Sequence, residues 1–255
     1  MEVLRVQNLT KNFGGLEVLK DISFALEIGQ HVAVIGPNGA GKTTLFNVLT
    51  GELPVTTGKV YVLGQDVTHM PIHRRVHLGL ARSYQIISLL PTLSTIDNVL
   101  LAIQGTKPSR FQMLRPATSY TDISANARRL LESMDLWEKK NESVQNLSYG
   151  EQRKIEIALS LSSAPRLLLL DEPTTGLTMS ESSSLINMIN NLARDITILF
   201  TAHDMDVVFG LAERIMVLFT GQIIAQGTAE EIQANPLVSE IYLGPEEDVV
   251  HAEIS

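Results

Sequence analysis

Cysteine is absent from the 255 residues. That removes disulfides, thiol nucleophiles and cysteine-ligated zinc, and fits a reducing compartment. Long apolar runs are missing as well. The longest candidates, Leu167 to Leu170 and Ile215 to Phe219, fall far short of the roughly 18 to 20 residues of a membrane-spanning helix, so the chain is not expected to cross a bilayer by itself. The opening "MEVLRVQNLT" alternates apolar and polar residues behind an acidic second position. A signal peptide has a basic start and a continuous apolar core instead, so secretion is not expected. Basic residues are outnumbered, 20 Lys and Arg against 28 Asp and Glu for a net charge of −8, which argues against a broad nucleic-acid-binding surface. No internal repeat is visible.

What is present is ample material for a core, 44% hydrophobic residues with 19% charged. It suits one large domain or a domain carrying a subdomain. Short alternating runs around Val3 to Val6 and Val18 to Leu26, broken by "GG" and "IG", predict antiparallel strands. "HVAVIG" predicts a buried strand, followed by a glycine loop and a helix through Leu45, Phe46 and Leu49 that stops at Gly51 and Pro54. From Ala81 to about Leu161 the pattern is mostly helical, with one stripe at Ala127, Leu130, Leu131 and Met134 and another at Ile155, Ala158 and Leu159. Within it, "GTKPSRFQMLRPATSY" is an insertion-like loop. Parallel-sheet grammar then returns, with a strand at "RLLLLDEP", a helix near Ser183 to Leu192, and strands at "DITILFTAH" and "RIMVLF". The final "PEEDVVHAEIS" is acidic and aperiodic, and predicts a mobile tail.

"GPNGAGKT", Gly36 to Thr43, satisfies the G-x-x-x-x-G-K-[ST] pattern between a strand and a helix. In such a loop the backbone N–H groups of Gly36, Pro37's successor Asn38, Gly39, Ala40 and Gly41 turn toward phosphate oxygens at a helix N-terminus. Lys42 adds a cation, Thr43 a ligand for Mg²⁺, and Thr44 a further hydroxyl. Binding is not hydrolysis, which needs acids. "LLLLDEP" supplies Asp171 at a buried strand end, suited to hold Mg²⁺ through water, and Glu172 as candidate general base. His69, His73 and His77 include an i, i+4 pair. Without a carboxylate at matched spacing, and beside Arg74 and Arg75, a solvated helix face is the better account.

Together with "NLSYGEQRK", Asn146 to Lys154, ahead of the Asp-Glu pair, these motifs resemble the ATP-binding-cassette (ABC) ATPases from about Leu4 to Leu243. The resemblance implies a P-loop α/β core with an antiparallel β subdomain over about residues 1–84 and 162–243, a helical subdomain inserted over about 86–161, and a tail at 244–255. It implies Mg²⁺-dependent ATP hydrolysis, with Lys42, Glu172, His203 of "TAHD" and Gln85 of "ARSYQ" as catalytic residues and Gln85 also at the metal. Phe13 of "KNFGG" stands where the family stacks a ring on adenine. Ser148 and Gly150 would act across a dimer, on the nucleotide of a facing chain.

Two departures stand out: Tyr149 and Glu151 replace the commoner glycine and glutamine of the signature, and Thr178 replaces the aspartate that many members carry at a cross-dimer contact. Cassettes of the branched-chain amino-acid and amide uptake group share such variations, along with "HDMDVV"-like stretches and endings like "NPLVSEIYLG". The resemblance therefore implies an importer subunit peripheral on the cytoplasmic face of a bacterial inner membrane. Its partners would be a second cassette, identical or related, separate membrane permeases and an extracytoplasmic solute-binding protein. No nucleic acid is expected. The stretch after Gln85, "IISLLPTLSTIDNVLLAI", is the expected receiver of a membrane-subunit helix. An exporter of lipids or glycolipids remains the alternative, and a soluble ABC ATPase a more remote one.

Overall fold

The computed structural model describes residues 1–83, 89–107 and 121–243. Its strands separate into two sheets. The alternating N-terminal runs form β1 (Glu2–Phe13) and β2 (Leu16–Glu27), an antiparallel pair closed at Gly14 and Gly15. β4 (Thr57–Val62) pairs with β1, placing Leu4 opposite Val62 and Val6 opposite Val60, and the short β5 (Gln65–Asp66) completes a sheet of order β2-β1-β4-β5.

In the second sheet β3 (His31–Ile35), β6 (Leu80–Ser83), β7 (Leu167–Asp171), β8 (Thr197–Thr201) and β9 (Arg214–Phe219) run parallel, with β10 (Gln222–Gly227) antiparallel at the edge. Their order is β10-β9-β3-β8-β7-β6. Side chains alternate between the two faces of a strand, and here both faces are covered. Leu167 and Leu169 of β7 join one hydrophobic cluster with Val32 and Val34 of β3. Leu168 and Leu170 join the other with Ala33 and Ile35. This two-sided burial is why the strand reads as four consecutive leucines.

α1 (Lys42–Thr50) packs Leu45, Phe46 and Leu49 into the cluster shared with the antiparallel sheet. α2 (Ile72–His77) follows β5, and α3 (Thr95–Thr106), α4 (Thr121–Ser133) and α5 (Tyr149–Leu161) lie between β6 and β7 in sequence. Ile123, Ala127 and Leu131 of α4 and Ile155 and Ala158 of α5 are buried in the cluster on the other face of the main sheet, as the helical stripes predict. α6 (Met179–Asn190), α7 (Met205–Leu211), α8 (Ala229–Gln233) and α9 (Pro236–Leu243) complete the described chain. Among the described residues no helix is long and apolar enough to cross a membrane.

Four local expectations need correction. Ala81 to Ser83 do not open a helical region but end β6, paired in register with Leu168 to Leu170. α6 begins at Met179, four residues before the apolar pattern becomes visible, because Thr178 and Glu181 form a reciprocal capping box that stabilises a polar first turn. Arg75 is not a solvated neighbour of the histidines. It is 2% exposed and donates to the Val48 and Leu49 carbonyls at the end of α1, at 2.9 and 2.7 Å, where the helix leaves acceptors unpaired. His73 and His77 are exposed, and no group of metal-holding side chains occurs among the described residues. The insertion-like loop expected over 105–120 starts later than its sequence suggests, since α3 runs through Gly105 to Thr106; residues 108–120 and the acidic tail from 244 onward lie outside the described residues.

Candidate active site

The C-terminal ends of β3, β7 and β8 lie side by side, the place where open parallel sheets bind ligands. The loop from Gly36 to Gly41 leaves β3 there and enters α1. A Cβ at Gly36 would meet the Leu218 carbonyl oxygen at 2.1 Å, so only glycine lets the loop pass β9. Gly41 caps α1 in the left-handed region at φ 108°. Ala40 is buried, whereas Asn38, Gly39 and Thr43 are exposed and Pro37 and Thr44 half-buried. Lys42 folds back inside the loop. It is 7% exposed, and its Nζ donates to the carbonyls of Gly36 at 2.6 Å and Pro37 at 3.1 Å. Burial pushes its pKa below the usual lysine value, against the opposing pull of Glu172 and Asp171. Both acids are therefore electrostatic neighbours of the lysine.

Asp171, at the end of β7, is 4% exposed. Its Oδ1 accepts from Thr201 Oγ1 of β8 at 2.8 Å and its Oδ2 from Arg82 Nη2 of β6 at 2.8 Å. Glu172 follows with φ +46°, a conformation that costs a non-glycine residue roughly 1–3 kcal/mol and persists where the surroundings enforce it. Its N–H donates to Thr201 Oγ1 at 2.9 Å. Its Oε1 lies 2.7 Å from His203 Nε2, and its Oε2 accepts from Thr175 Oγ1 at 3.1 Å. The structure thus brings together the phosphate loop, the acidic pair and the histidine. Gln85 lies outside the described residues. Phe13, at the end of β1, is 46% exposed with Lys11 Nζ 5.0 Å from its ring centroid, an accessible face rather than a core position.

Ser148 and Gly150 are not brought to this cluster by any described contact. Ser148 caps α5, its hydroxyl accepting from the Glu151 N–H at 3.2 Å while Glu151 returns a bond to the Ser148 N–H and pairs with Lys139 at 2.6 Å. Beside it, Thr178 caps α6 and holds Glu181 Oε2 at 2.8 Å. The Glu181 carboxyl is held below the usual range, chiefly by the Thr178 N–H and hydroxyl and then by the Gly150 N–H and the Ser148 hydroxyl. Tyr149 packs near Gly176, where a Cβ would lie 3.1 Å from the ring.

Sequence reasoning missed Arg153 and Arg82. Arg153 of α5, 1% exposed, donates Nε to Pro173 O at 3.0 Å and Nη2 to Asp171 O and Glu172 O at 3.0 and 3.1 Å, and pairs with the buried Glu156. It holds the backbone that carries Glu172. The available signal was a charged pair three residues apart within an otherwise apolar helix face.

A family model described as ABC transporter matches residues 19–175, and one described as branched-chain amino acid ATP-binding cassette transporter matches residues 222–247. The chain is 36% identical to a high-affinity branched-chain amino acid transport ATP-binding protein of Pseudomonas aeruginosa, covering 95% of this chain and 98% of that protein. It is 34% identical to a probable branched-chain amino acid transport ATP-binding protein of Archaeoglobus fulgidus, covering 98% of each. Among solved structures, an ATP-binding cassette of an ABC transporter in its ADP conformation superposes with TM-score 0.85 at 32% identity, covering 96% of this chain and 99% of that one. The chain belongs to the ABC transporter family. It is an ATPase of the nucleotide-binding cassette class.

Proposed function

We propose that the chain energises a membrane importer of branched-chain amino acids or related amides, hydrolysing Mg²⁺-bound ATP on the cytoplasmic face of a bacterial inner membrane. The 2.7 Å contact of Glu172 with His203, at strand ends beside the Lys42 loop, carries the catalytic assignment. His203 and Thr175 hold the two carboxylate oxygens of Glu172, fixing the plane of the group that is assigned to accept the proton of an attacking water. Lys42 and the loop N–H groups hold the phosphates.

The oxygen donors of Thr43 and Asp171 suit Mg²⁺, a hard ion that keeps waters and phosphate oxygens rather than a protein cage. The ion would stabilise charge on the transferred phosphoryl group. Gln85 is assigned as a further Mg²⁺ and water contact, and Phe13 as the adenine platform. Ser148 and Gly150 are assigned to the nucleotide of a facing cassette, since a serine-capped helix start is an anion site.

The uptake class is supported by the family match over residues 222–247, which span β10 to α9, and by the names of the relatives. An exporter reading has no comparable support. Separate permease subunits and a solute-binding protein complete the assembly. A groove lined by Ile72, Val76, Leu80, Ala102 and Leu159, between α2, α3 and α5, supports the docking of a membrane-subunit helix there. Leu90 and Leu101 of the apolar stretch are 49% and 46% exposed close by in sequence.

Glu172→Gln, purified alongside the native chain, tests the assignment. It is expected to bind ATP normally, to lose nearly all hydrolysis and to accumulate as an ATP-bound dimer, with the native chain co-purifying with membranes. Full turnover in the variant removes Glu172 as the base, and a native chain found only in cytosol removes the transporter role.

A further inference from the structure

Arg82 lies on β6, three residues before Gln85, with its side chain 6% exposed. Its guanidinium is shared by three parts of the fold. Nη1 donates to Asn47 Oδ1 of α1 at 2.6 Å and lies 3.4 Å from both carboxylate oxygens of Glu52. Nη2 donates to Asp171 Oδ2 at 2.8 Å, and the guanidinium carbon is 5.7 Å from the Phe46 ring centroid. The Arg82 carbonyl accepts from Ser160 Oγ of α5 at 3.1 Å. With Thr201 on the other oxygen, the Asp171 carboxylate is fixed in orientation and partly neutralised by a buried, permanently charged group.

Resting on the assignment of Asp171 to the divalent ion, we propose that Arg82 is a positioning residue that sets how tightly the site holds that ion. It fixes the carboxylate plane and withdraws negative charge from it. Glu52, sharing the same guanidinium, tempers the withdrawal. The buried Arg82 and Asp171 charges interact well above their strength in water, and Glu52, with its side chain 27% exposed, acts on them more weakly. Removing the Arg82 charge therefore tightens divalent binding, and removing the Glu52 charge weakens it. A residue that merely braced the fold would not act in the first direction, because a loosened site binds less tightly.

The test measures Mn²⁺ binding by electron paramagnetic resonance to the full chain with a non-hydrolysable ATP analogue. Arg82→Gln is expected to lower the Mn²⁺ dissociation constant by roughly threefold or more, and Glu52→Gln to raise it by a smaller factor. Arg82→Lys, which keeps the charge, stays near the native value, and analogue binding in EDTA stays within about twofold for all three. An unchanged or raised constant in Arg82→Gln overturns the proposal. Should that variant not fold, an unchanged or lowered constant in Glu52→Gln overturns it equally. Asp171→Asn is the control: if it fails to weaken Mn²⁺ binding, the ion assignment itself falls, whereas a weakened control with inert Arg82 and Glu52 variants sinks only the role of Arg82.

Discussion

Replacing Arg153 with methionine removes the donor that three consecutive carbonyls share. The guanidinium is 1% exposed and bonds Asp171 O, Glu172 O and Pro173 O, and it pairs with Glu156, itself 6% exposed. Methionine fills much of the same volume, so the loss is chiefly electrostatic. Breaking a buried pair from one side costs about 3–5 kcal/mol, because the remaining charge stays out of water. For a chain of this size each kcal/mol moves the melting temperature by about 2–4 °C, so the variant should melt roughly 6–20 °C lower. Adding Glu156→Met removes the buried carboxylate that faced Arg153 and should recover at least about 1 kcal/mol of that loss. Catalysis should fall further than binding. The left-handed Glu172 is held by the carbonyl bonds, and a small displacement of a reacting group costs about tenfold or more in rate. Nucleotide affinity rests on the Lys42 loop instead and should change by no more than about threefold. Thermal unfolding, ATP turnover and analogue binding on the single and double variants measure all three. An Arg153→Met protein within about 1 kcal/mol of the native chain, or a double variant no better than the single, refutes the reasoning.

Glycines of the phosphate loop should not be equivalent. Gly36→Ala drives a Cβ to 2.1 Å from a backbone carbonyl, whereas at Gly39 a Cβ meets nothing within 4 Å and the strain is only that of φ +81°. Gly36→Ala should therefore abolish nucleotide binding and lose more than about 1–3 kcal/mol, and Gly39→Ala about 1–2 kcal/mol; equal losses by urea unfolding would contradict the clash. His31 is held below its ordinary 6.5 by burial, opposed by Glu213. The unfolded chain then takes up the proton that the fold resists, so stability falls as pH drops below about 6.5 and is unaffected above it. Urea midpoints at about pH 7.5 and 5.5 should show a smaller acid loss in His31→Gln than in the native chain, and equal losses exclude His31 as a source.

The phosphate loop and the acidic strand end were legible because each is a local pattern whose chemistry depends on neighbours in sequence, whereas His203 was assigned only through the family resemblance. Lys42 reaches carbonyls five and six residues back, and the left-handed turn at Gly41 is written as glycine. The partners that orient these groups were not legible. Asp171 is oriented by residues 89 and 30 positions away in sequence, Arg82 and Thr201. They meet it only because β6 and β8 flank β7, and periodicity predicts strands without their order. Helix starts suffered the opposite problem: the first turn of α6 is polar, so its cap decides the boundary before any apolar stripe appears. Thr178, conspicuous as a departure from the usual aspartate, is structurally that cap.

α5 connects both halves of the proposed composite site. Ser148 caps it and Gly150 lies in its first turn beside the Glu181 side chain, whose carboxyl they help hold below its usual range. On the proposed assignment a phosphate of the facing chain would seek the same helix start, and Glu181 would have to give way to it, one anion replacing another. Five residues further, about 7.5 Å along the helix, Arg153 grips the backbone of Asp171, Glu172 and Pro173, and Ser160 grips the Arg82 carbonyl. A helix moves as a unit. In the proposed dimer, engagement of Ser148 by a facing chain's nucleotide would thus be mechanically tied to the segment that holds this chain's own Glu172, giving the two composite sites between the chains a physical means of firing together.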